Sequence, residues 1–350
     1  MAHIFRRCSK KVWDNYVFGY IHERYIRGYY AKPVPELEDL QLECVVSLEA
    51  AYNDMMLETC QLKYQELTEG VSVINEGVVG TIKNFFKKII NAIKKFFGFS
   101  SNNDGATKTN IDKLKNQIKN SNNCIAKGIK YMVDHPELNK KYRFIDIKSI
   151  IPAGDMVEDT YLRTALDNSL NELSKLQEEF NRNGKVLINP HDIAAKALRT
   201  FIESSKVKIE NKIDTTKINS VADFKKTIDD SVKYISLNEL LGKTNFNDNR
   251  DIDSFILNCL SSLLIQSTRA SQFKQIIERQ MEKYRNDVTA EIEEKFPRYG
   301  SVACEVANTL TQACIICVTF GDKICNKEYN DYFRLVSEAR EVYAKYIKKE

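Results

Sequence analysis

Glycine and proline are scarce in this chain of 350 residues, which holds 13 Gly and 6 Pro. An all-β sandwich needs a turn about every ten residues, and turns draw heavily on these two residue types. The sequence also lacks any run of 18 consecutive apolar residues, so it predicts no transmembrane helix. The basic N-terminus is not followed by an apolar segment, which argues against a secretory signal. These absences favour a soluble, helical protein.

The motifs of common enzyme classes are also missing. The chain has no P-loop, no G-x-G-x-x-G, no H-E-x-x-H and no G-x-S-x-G. A single C-x-x-C, Cys314 to Cys317, lies in an apolar helical pattern with no histidine within a hundred residues. A zinc site normally combines two such pairs, so we interpret Cys304, Cys314, Cys317 and Cys325 as small buried hydrophobic residues. We therefore expect no enzyme, no metal and no cofactor.

Charge is nearly balanced over the chain but unevenly placed along it. The 52 Lys and Arg against 48 Asp and Glu give a net charge of +4, which is too small for the whole chain to be a nucleic-acid binder. Residues 1–32 are basic and aromatic, 33–76 carry ten acids against Lys63, and 77–99 hold five lysines and no acid. Such alternation indicates separate functional segments.

Hydrophobic periodicity predicts an all-α fold, an elongated multi-helix body preceded by an N-terminal helical region. An acidic helix covers 33–68, and the polar segment SSNNDGATKT at 100–109 is the clearest linker. Residues 110–350 form the predicted helical body, which we expect to fold without the first hundred residues. Its candidate helices are 155–183, 190–213, 221–241, 252–286, 301–320 and 327–348, and its possible short strands are 142–152 and 185–189.

Residues 77–99 contain the strongest pattern, a cationic amphipathic helix. From Val78 to Phe97 the apolar residues recur with a 3.6-residue period, and every lysine lies on the opposite face. A Lys face opposite a Phe and Ile face is typical of helices that lie in a membrane interface, but also of helices that pack on their own protein. The residues expected to contact a membrane or partner are Ile82, Lys83, Phe85, Phe86, Lys87, Lys88, Ile89, Ile90, Ile93, Lys94, Lys95, Phe96 and Phe97.

Two short motifs precede this helix: Leu67-Thr68-Glu69 before Gly70, and Ile74-Asn75-Glu76 before Gly77. An aliphatic residue, any residue and Glu, followed by a small residue, resembles the site cut by prohead proteases of large tailed bacteriophages. With Leu or Ile as the aliphatic residue the sequence has eight such tripeptides, but only these two are followed by glycine. The motifs and the cationic helix after them together resemble head-internal virion proteins of these phages.

The resemblance implies a non-enzymatic structural or cargo protein of the virion, located in the head interior and synthesised in the host cytoplasm. Residues 1–76 would be a propeptide that targets the chain to the head core, with a cleavable hinge at 69–77. The implied partners are head core or scaffold proteins and the prohead protease. Basic segments could also contact packaged DNA, and 78–99 could contact a membrane surface.

Two other functions fit the sequence: a membrane-active or pore-forming protein acting through 78–99, and a helical interaction protein of unknown partner. The position of 78–99 is likewise open. Its apolar face should not stay exposed in an aqueous compartment. The acidic helix 36–68 could fold back on it as an antiparallel hairpin, or 78–99 could pack on the C-terminal body from the start.

Overall fold

The computed structural model describes residues 37–69, 74–139, 142–146, 159–184, 189–204, 214–242, 249–295 and 298–348. Within them the all-α prediction is confirmed, with one two-stranded sheet. The helices are α1 (Leu37–Glu69), α2 (Ile74–Lys119), α3 (Cys124–Asp134), α4 (Pro136–Asn139), α5 (Asp159–Asn183), α6 (Pro190–Ser204), α7 (Val221–Asp230), α8 (Leu237–Gly242), α9 (Asn249–Lys295) and α10 (Arg298–Val342). A 3₁₀ turn spans Thr215–Lys217, and a π-helical turn, Tyr343–Ile347, follows α10. The basic segment 1–32 lies outside the described residues.

Three long helices carry the core. α2, α9 and α10 each contribute side chains to two hydrophobic clusters. The first cluster joins α1 and the N-terminal half of α2 to α5, α6 and α7, and the second joins the end of α2 to α3, to strand β1 (Arg143–Ile145) and to α8. Because the same helices run through both clusters, residues 37–350 form one compact unit.

α10 is the most deeply buried helix. By length and composition its region, Tyr299–Ile347, could cross a membrane, with a mean hydropathy of 1.4 in its most apolar stretch. That stretch is completely buried within the protein, as expected for a core helix with apolar side chains around most of its surface. The sequence predicts two helices in this region, 301–320 and 327–348. The structure has one, α10, which continues through Gly321 without a break.

The segment 100–109 is not a linker, contrary to the sequence-based expectation. α2 runs without a break from Ile74 to Lys119 and includes these residues. Apolar side chains anchor the helix on both sides: Phe96 and Phe97 in the first cluster, Ile111 and Leu114 in the second. Tertiary packing at both ends therefore overrides the weak helix propensity of the polar stretch.

The predicted helix 221–241 is wrong only in its middle, at 231–236, since helix resumes as α8 from Leu237. α7 ends at Asp230, and Tyr234–Ser236 form strand β2, which pairs antiparallel with β1 (Arg143–Ile145). The register joins Arg143 to Ser236 and Ile145 to Tyr234. The prediction of a strand within 142–152 is correct, but its partner is almost a hundred residues away. The predicted C-terminal end of helix 155–183 is confirmed, since α5 ends at Asn183. Gly184 follows with a φ of 65°, the left-handed conformation that commonly ends a helix.

Candidate functional site: a helical hairpin and an adjoining pocket

α1 and α2 form an antiparallel hairpin. Near its closed end, the Leu62 side chain lies 3.4 Å from the position that a Cβ on Gly77 would occupy. Farther along, the rings of Tyr52 and Phe85 stand 5.9 Å apart, and Cys44 Sγ lies 3.9 Å from the carbonyl oxygen of Ala92. Residue numbers fall on α1 as they rise on α2, so the hairpin expected from the opposite charges of the two segments is confirmed.

The apolar face of α2 is buried from more than one side. The side chains concerned are at most 6% exposed: Val78, Ile82, Phe85, Phe86, Ile89, Ile90, Ile93, Phe96 and Phe97. α1 covers part of this face, while α9 and α10 cover the rest; on α9, for example, the Tyr284 ring contacts Phe86 at 6.2 Å. The sequence left two arrangements open for 78–99, packing on the acidic helix or packing on the C-terminal body. The structure shows both, because α2 packs on α1 and on α9 and α10 at the same time.

The lysines of α2 lie on its exposed face and reach carboxylates on both neighbouring helices. Lys88 and Lys95 approach Asp54 and Glu43 of α1 at 4.0 Å. On the other side Lys94 approaches Glu278 of α9 at 3.2 Å, and Lys83 pairs with Glu293. Lys87 is exposed as well. Exposed ion pairs contribute only about 0–1 kcal/mol each, so these pairs orient the helices more than they stabilise them.

The candidate cleavage residues lie at the two facing helix ends. Leu67 and Glu69 are in the last turn of α1, and Glu69 is its final residue. Ile74, Glu76 and Gly77 are in the first turn of α2, and Gly70 lies outside the described residues. The proposed hinge 69–77 is therefore shorter than expected, since helix occupies both of its ends. A protease would have to open one terminal turn, and terminal turns are the least stable part of a helix.

A polar pocket that sequence reasoning missed lies beside the hairpin. It has a volume of about 290 Å³ and is lined by residues of α1, α6 and α10 and by the start of α7. His191 Nδ1 lies 2.9 Å from Glu305 Oε1, although the two residues are 114 positions apart. The Glu305 side chain is only 10% exposed, and its other oxygen, Oε2, is buried without a hydrogen-bond partner.

Tyr52 of α1 also lines this pocket. Burial, with the carboxylate of Glu305 beside it, raises the pKa of Tyr52 above its ordinary value near 10. The hydroxyl is therefore neutral across the physiological range and can serve as a hydrogen-bond donor. His191 lies in the first turn of α6, two residues after Asn189, whose side chain accepts a hydrogen bond from the His191 amide at 3.2 Å.

Buried titratable groups elsewhere have structural roles. Cys304, Cys314, Cys317 and Cys325 are all buried, as predicted, and burial raises the pKa of Cys317 to about 12. Burial raises the pKa of Cys304 and Cys314 as well, so these three thiols are protonated and unreactive. Burial also raises the pKa of Glu328 to about 7, although this carboxyl accepts a hydrogen bond from the Ile145 amide at 2.6 Å. The described residues contain no cluster of three or more potential metal ligands.

Comparison with known protein families, curated proteins and solved structures finds no match for this chain. Its function must therefore be argued from its own residues.

Proposed function

We propose that this chain is a head-internal structural or cargo protein of a large tailed bacteriophage, made as a precursor and cut by the prohead protease. The observation that carries the proposal is the position of the two motif glutamates, Glu69 and Glu76, which lie at the facing ends of α1 and α2. A cut at either motif separates the acidic helix from the cationic one without interrupting the rest of the fold.

The charge change on cutting suits a compartment filled with DNA. Residues 1–76 hold 8 basic and 12 acidic residues, so the net charge changes from +4 for the whole chain to +8 for the 274 residues that remain. Departure of α1 also leaves Lys88 and Lys95 without Asp54 and Glu43. Lysines freed in this way can neutralise phosphates.

The mass of the protein from native particles tests the proposal. We expect a mature chain that begins at Gly77 or Gly70 and lacks everything before it. Glu69→Gln and Glu76→Gln, introduced together, should block the cut, whereas Glu58→Gln on the exposed face of α1 should not. An N-terminus at Met1 or Ala2 in native particles would refute processing.

A membrane-active function is the second candidate. Because the apolar face of α2 is buried, this function requires a change of conformation that exposes it. Phe85, Phe86 and Ile89 would have to leave the core before they could enter a lipid interface. The intact chain should therefore leave anionic vesicles unperturbed, and only the cut or opened chain should bind them. Leakage that appears only after the chain is cut would favour this candidate, and failure of the cut chain to bind the vesicles would exclude it.

A further inference from the structure

α1 carries a second row of apolar side chains, and this row is exposed. The described part of the chain has eight large hydrophobic side chains on its surface, and four of them belong to this one helix. They are Leu42, Val46, Leu57 and Tyr64, which are 54–69% exposed. We call this row the outer face of α1. Apolar side chains that cluster on a surface in this way mark interaction sites.

The outer face lies opposite the face by which α1 packs on the rest of the protein. Leu48 and Met55 are buried in the first hydrophobic cluster. Leu48 is two residues from Val46, and Met55 is two residues from Leu57. Because two residues turn an α-helix by about 200°, the buried and the exposed rows are on nearly opposite sides. α1 therefore keeps an apolar face that its own packing does not use.

The spacing along the outer face is that of a helix that pairs with another helix. Exposed side chains follow one another at alternating intervals of four and three residues. They are Val46, Ala50, Asn53, Leu57, Cys60 and Tyr64. This alternation, over about three heptads, is the a and d pattern of a two-stranded coiled coil. The expected occupant of the outer face is thus a long α-helix.

The charge of α1 selects a cationic occupant. The helix holds eight carboxylates and one lysine, a net charge of −7. Glu43, Asp54 and Glu58 lie along one edge of the outer face. The first two stay exposed although they approach Lys95 and Lys88 of α2. A second copy of α1 would bring two such rows of carboxylates together, which disfavours self-association.

The inner face of α1 already binds a helix of this kind. α2 offers it apolar side chains, as in the contact between Tyr52 and Phe85 at 5.9 Å. It also offers lysines to the carboxylates at the edge, with Lys95 at 4.0 Å from Glu43. The outer face presents the same combination of an apolar row with carboxylates beside it.

We propose that the outer face of α1 binds an amphipathic helix of a partner protein, rich in Lys or Arg, which packs along it as in a two-stranded coiled coil. Val46 and Leu57 are the central apolar anchors, and the edge carboxylates attract the basic side chains of the partner. The proposal concerns the uncut chain, in which α1 is seated on the body. It depends neither on cleavage nor on the virion assignment.

Fluorescence anisotropy of a labelled peptide, titrated with the full chain at low salt, tests the proposal. The peptide is a synthetic helix of about three heptads, with Leu at the a and d positions and Lys at the others. A matched peptide carries Glu in place of every Lys. We expect saturable binding of the Leu–Lys peptide and no binding of the Leu–Glu peptide.

Two double variants locate the binding on the molecule. Val46→Gln with Leu57→Gln should weaken binding of the Leu–Lys peptide about tenfold or more, because both central anchors are lost. Ile265→Gln with Phe333→Gln removes two exposed hydrophobic side chains of α9 and α10 and should leave binding unchanged. Substitutions at exposed positions such as these seldom disturb a fold, and equal midpoints of urea denaturation check this.

Four results would overturn the proposal. The first is absence of binding of the Leu–Lys peptide to the unaltered chain, and the second is equal binding of both peptides. The third is equal binding by the unaltered chain and the Val46 and Leu57 variant, since the peptide would then bind elsewhere. The fourth is another occupant. Light scattering would reveal a dimer that this variant cannot form, and binding only to a chain that begins at residue 33 would mean that the chain covers the face itself.

Discussion

Gly128 lies where α3 crosses α10, and its missing side chain allows the two helices to touch. A Cβ at this position would meet the backbone of Ala339, with the carbonyl carbon at 2.7 Å and the carbonyl oxygen closer still. Backbone atoms cannot swing aside as a side chain can. We expect Gly128→Ala to lower the free energy of unfolding by about 2 kcal/mol or more, which is typical of overpacking, as measured by urea denaturation.

Gly98 is the matched control for this prediction. It is exposed within α2, and a Cβ there would meet nothing within 4 Å. Gly98→Ala should therefore raise the free energy of unfolding by about 0.5–1 kcal/mol, the ordinary gain for this change in a helix. Equal effects of the two substitutions would show that α3 and α10 do not approach each other as described.

Glu328 is fully buried at 0% exposure, and its effect on stability depends on pH. Burial raises its pKa from about 4.5 to about 7, while Lys327 opposes the shift and Asp331 adds to it. Between these pH values the folded protein holds a proton that the unfolded chain has released. Stability should therefore fall as pH rises from about 4.5 to 7, and level off above that, by at most about 3 kcal/mol.

Glu328→Gln separates this contribution from that of other groups. Asp253, whose pKa is raised to about 6 by burial, titrates in an overlapping range, so the useful quantity is the difference between variant and unaltered chain. The amide can still accept from the Ile145 N–H. We expect the variant to gain stability relative to the unaltered chain between pH 5 and pH 8 in urea denaturation. A difference that is the same at both pH values would contradict the raised pKa.

Single residues were predictable from sequence only where their neighbours along the chain carried the signal. The burial of Cys314 and Cys317 follows from the apolar residues on each side of them. The contact between His191 and Glu305 does not, because it joins helices that are distant in sequence. Pattern reasoning looks at one element at a time, and this contact depends on how two elements pack.

The same distinction applies to whole elements: the sequence predicts those whose structure follows from their own residue pattern, and misses those whose structure depends on a distant partner. The face of 78–99 was predicted correctly because its 3.6-residue period alone determines which side chains are buried. Strand β2 was missed because Tyr234–Ser236 owe their extended shape to pairing with β1. Strand propensity depends strongly on such context.

The continuity of α2 through 100–109 can be tested at the backbone. In a helix, Ala106→Pro removes a hydrogen bond and clashes with the preceding turn, at a cost of about 3 kcal/mol or more. Ala106→Gly should cost about 1 kcal/mol through chain entropy. Urea denaturation of the two variants should give this order. If neither substitution changed stability, the segment would be a linker after all.

At the scale of the whole molecule, the shared core argues against the expectation that residues 110–350 fold alone. Phe85, Phe86 and Ile93 belong to the same cluster as Leu310 and Phe320 of α10. A chain that starts at residue 110 would leave the partners of these side chains exposed to water. The points in the sequence where the charge changes sign therefore do not mark the limits of a folding unit. The lysine-rich segment is one face of α2, and the opposite face of that helix is part of the core.

α1 is held less firmly than α2, and this difference decides what a cut between them would do. Of the apolar side chains of α1 that the structure describes, only Leu48, Ala51 and Met55 are buried, compared with twelve on α2. Until the cut, the connection keeps α1 at a high effective concentration near its groove, typically millimolar for a short linker. After the cut, α1 stays bound only through its non-covalent contacts with α2 and α10.

We therefore expect α1 to leave after cleavage, and the chain's sole tryptophan, Trp13, can report it. A recognition sequence for a specific protease, introduced at 70–73, allows the purified chain to be cut between α1 and α2 by adding that protease. The products are then separated by size-exclusion chromatography at low micromolar concentration. Tryptophan fluorescence should move from the large peak to a small one after cutting, while the uncut chain keeps it in the large peak. The remaining body should bind a hydrophobic dye more strongly, since Phe85 and its neighbours lose their cover. Co-elution of the fluorescence with the body after cutting would mean that α1 remains as a permanent part of the fold, and that cleavage alone cannot release the cationic helix.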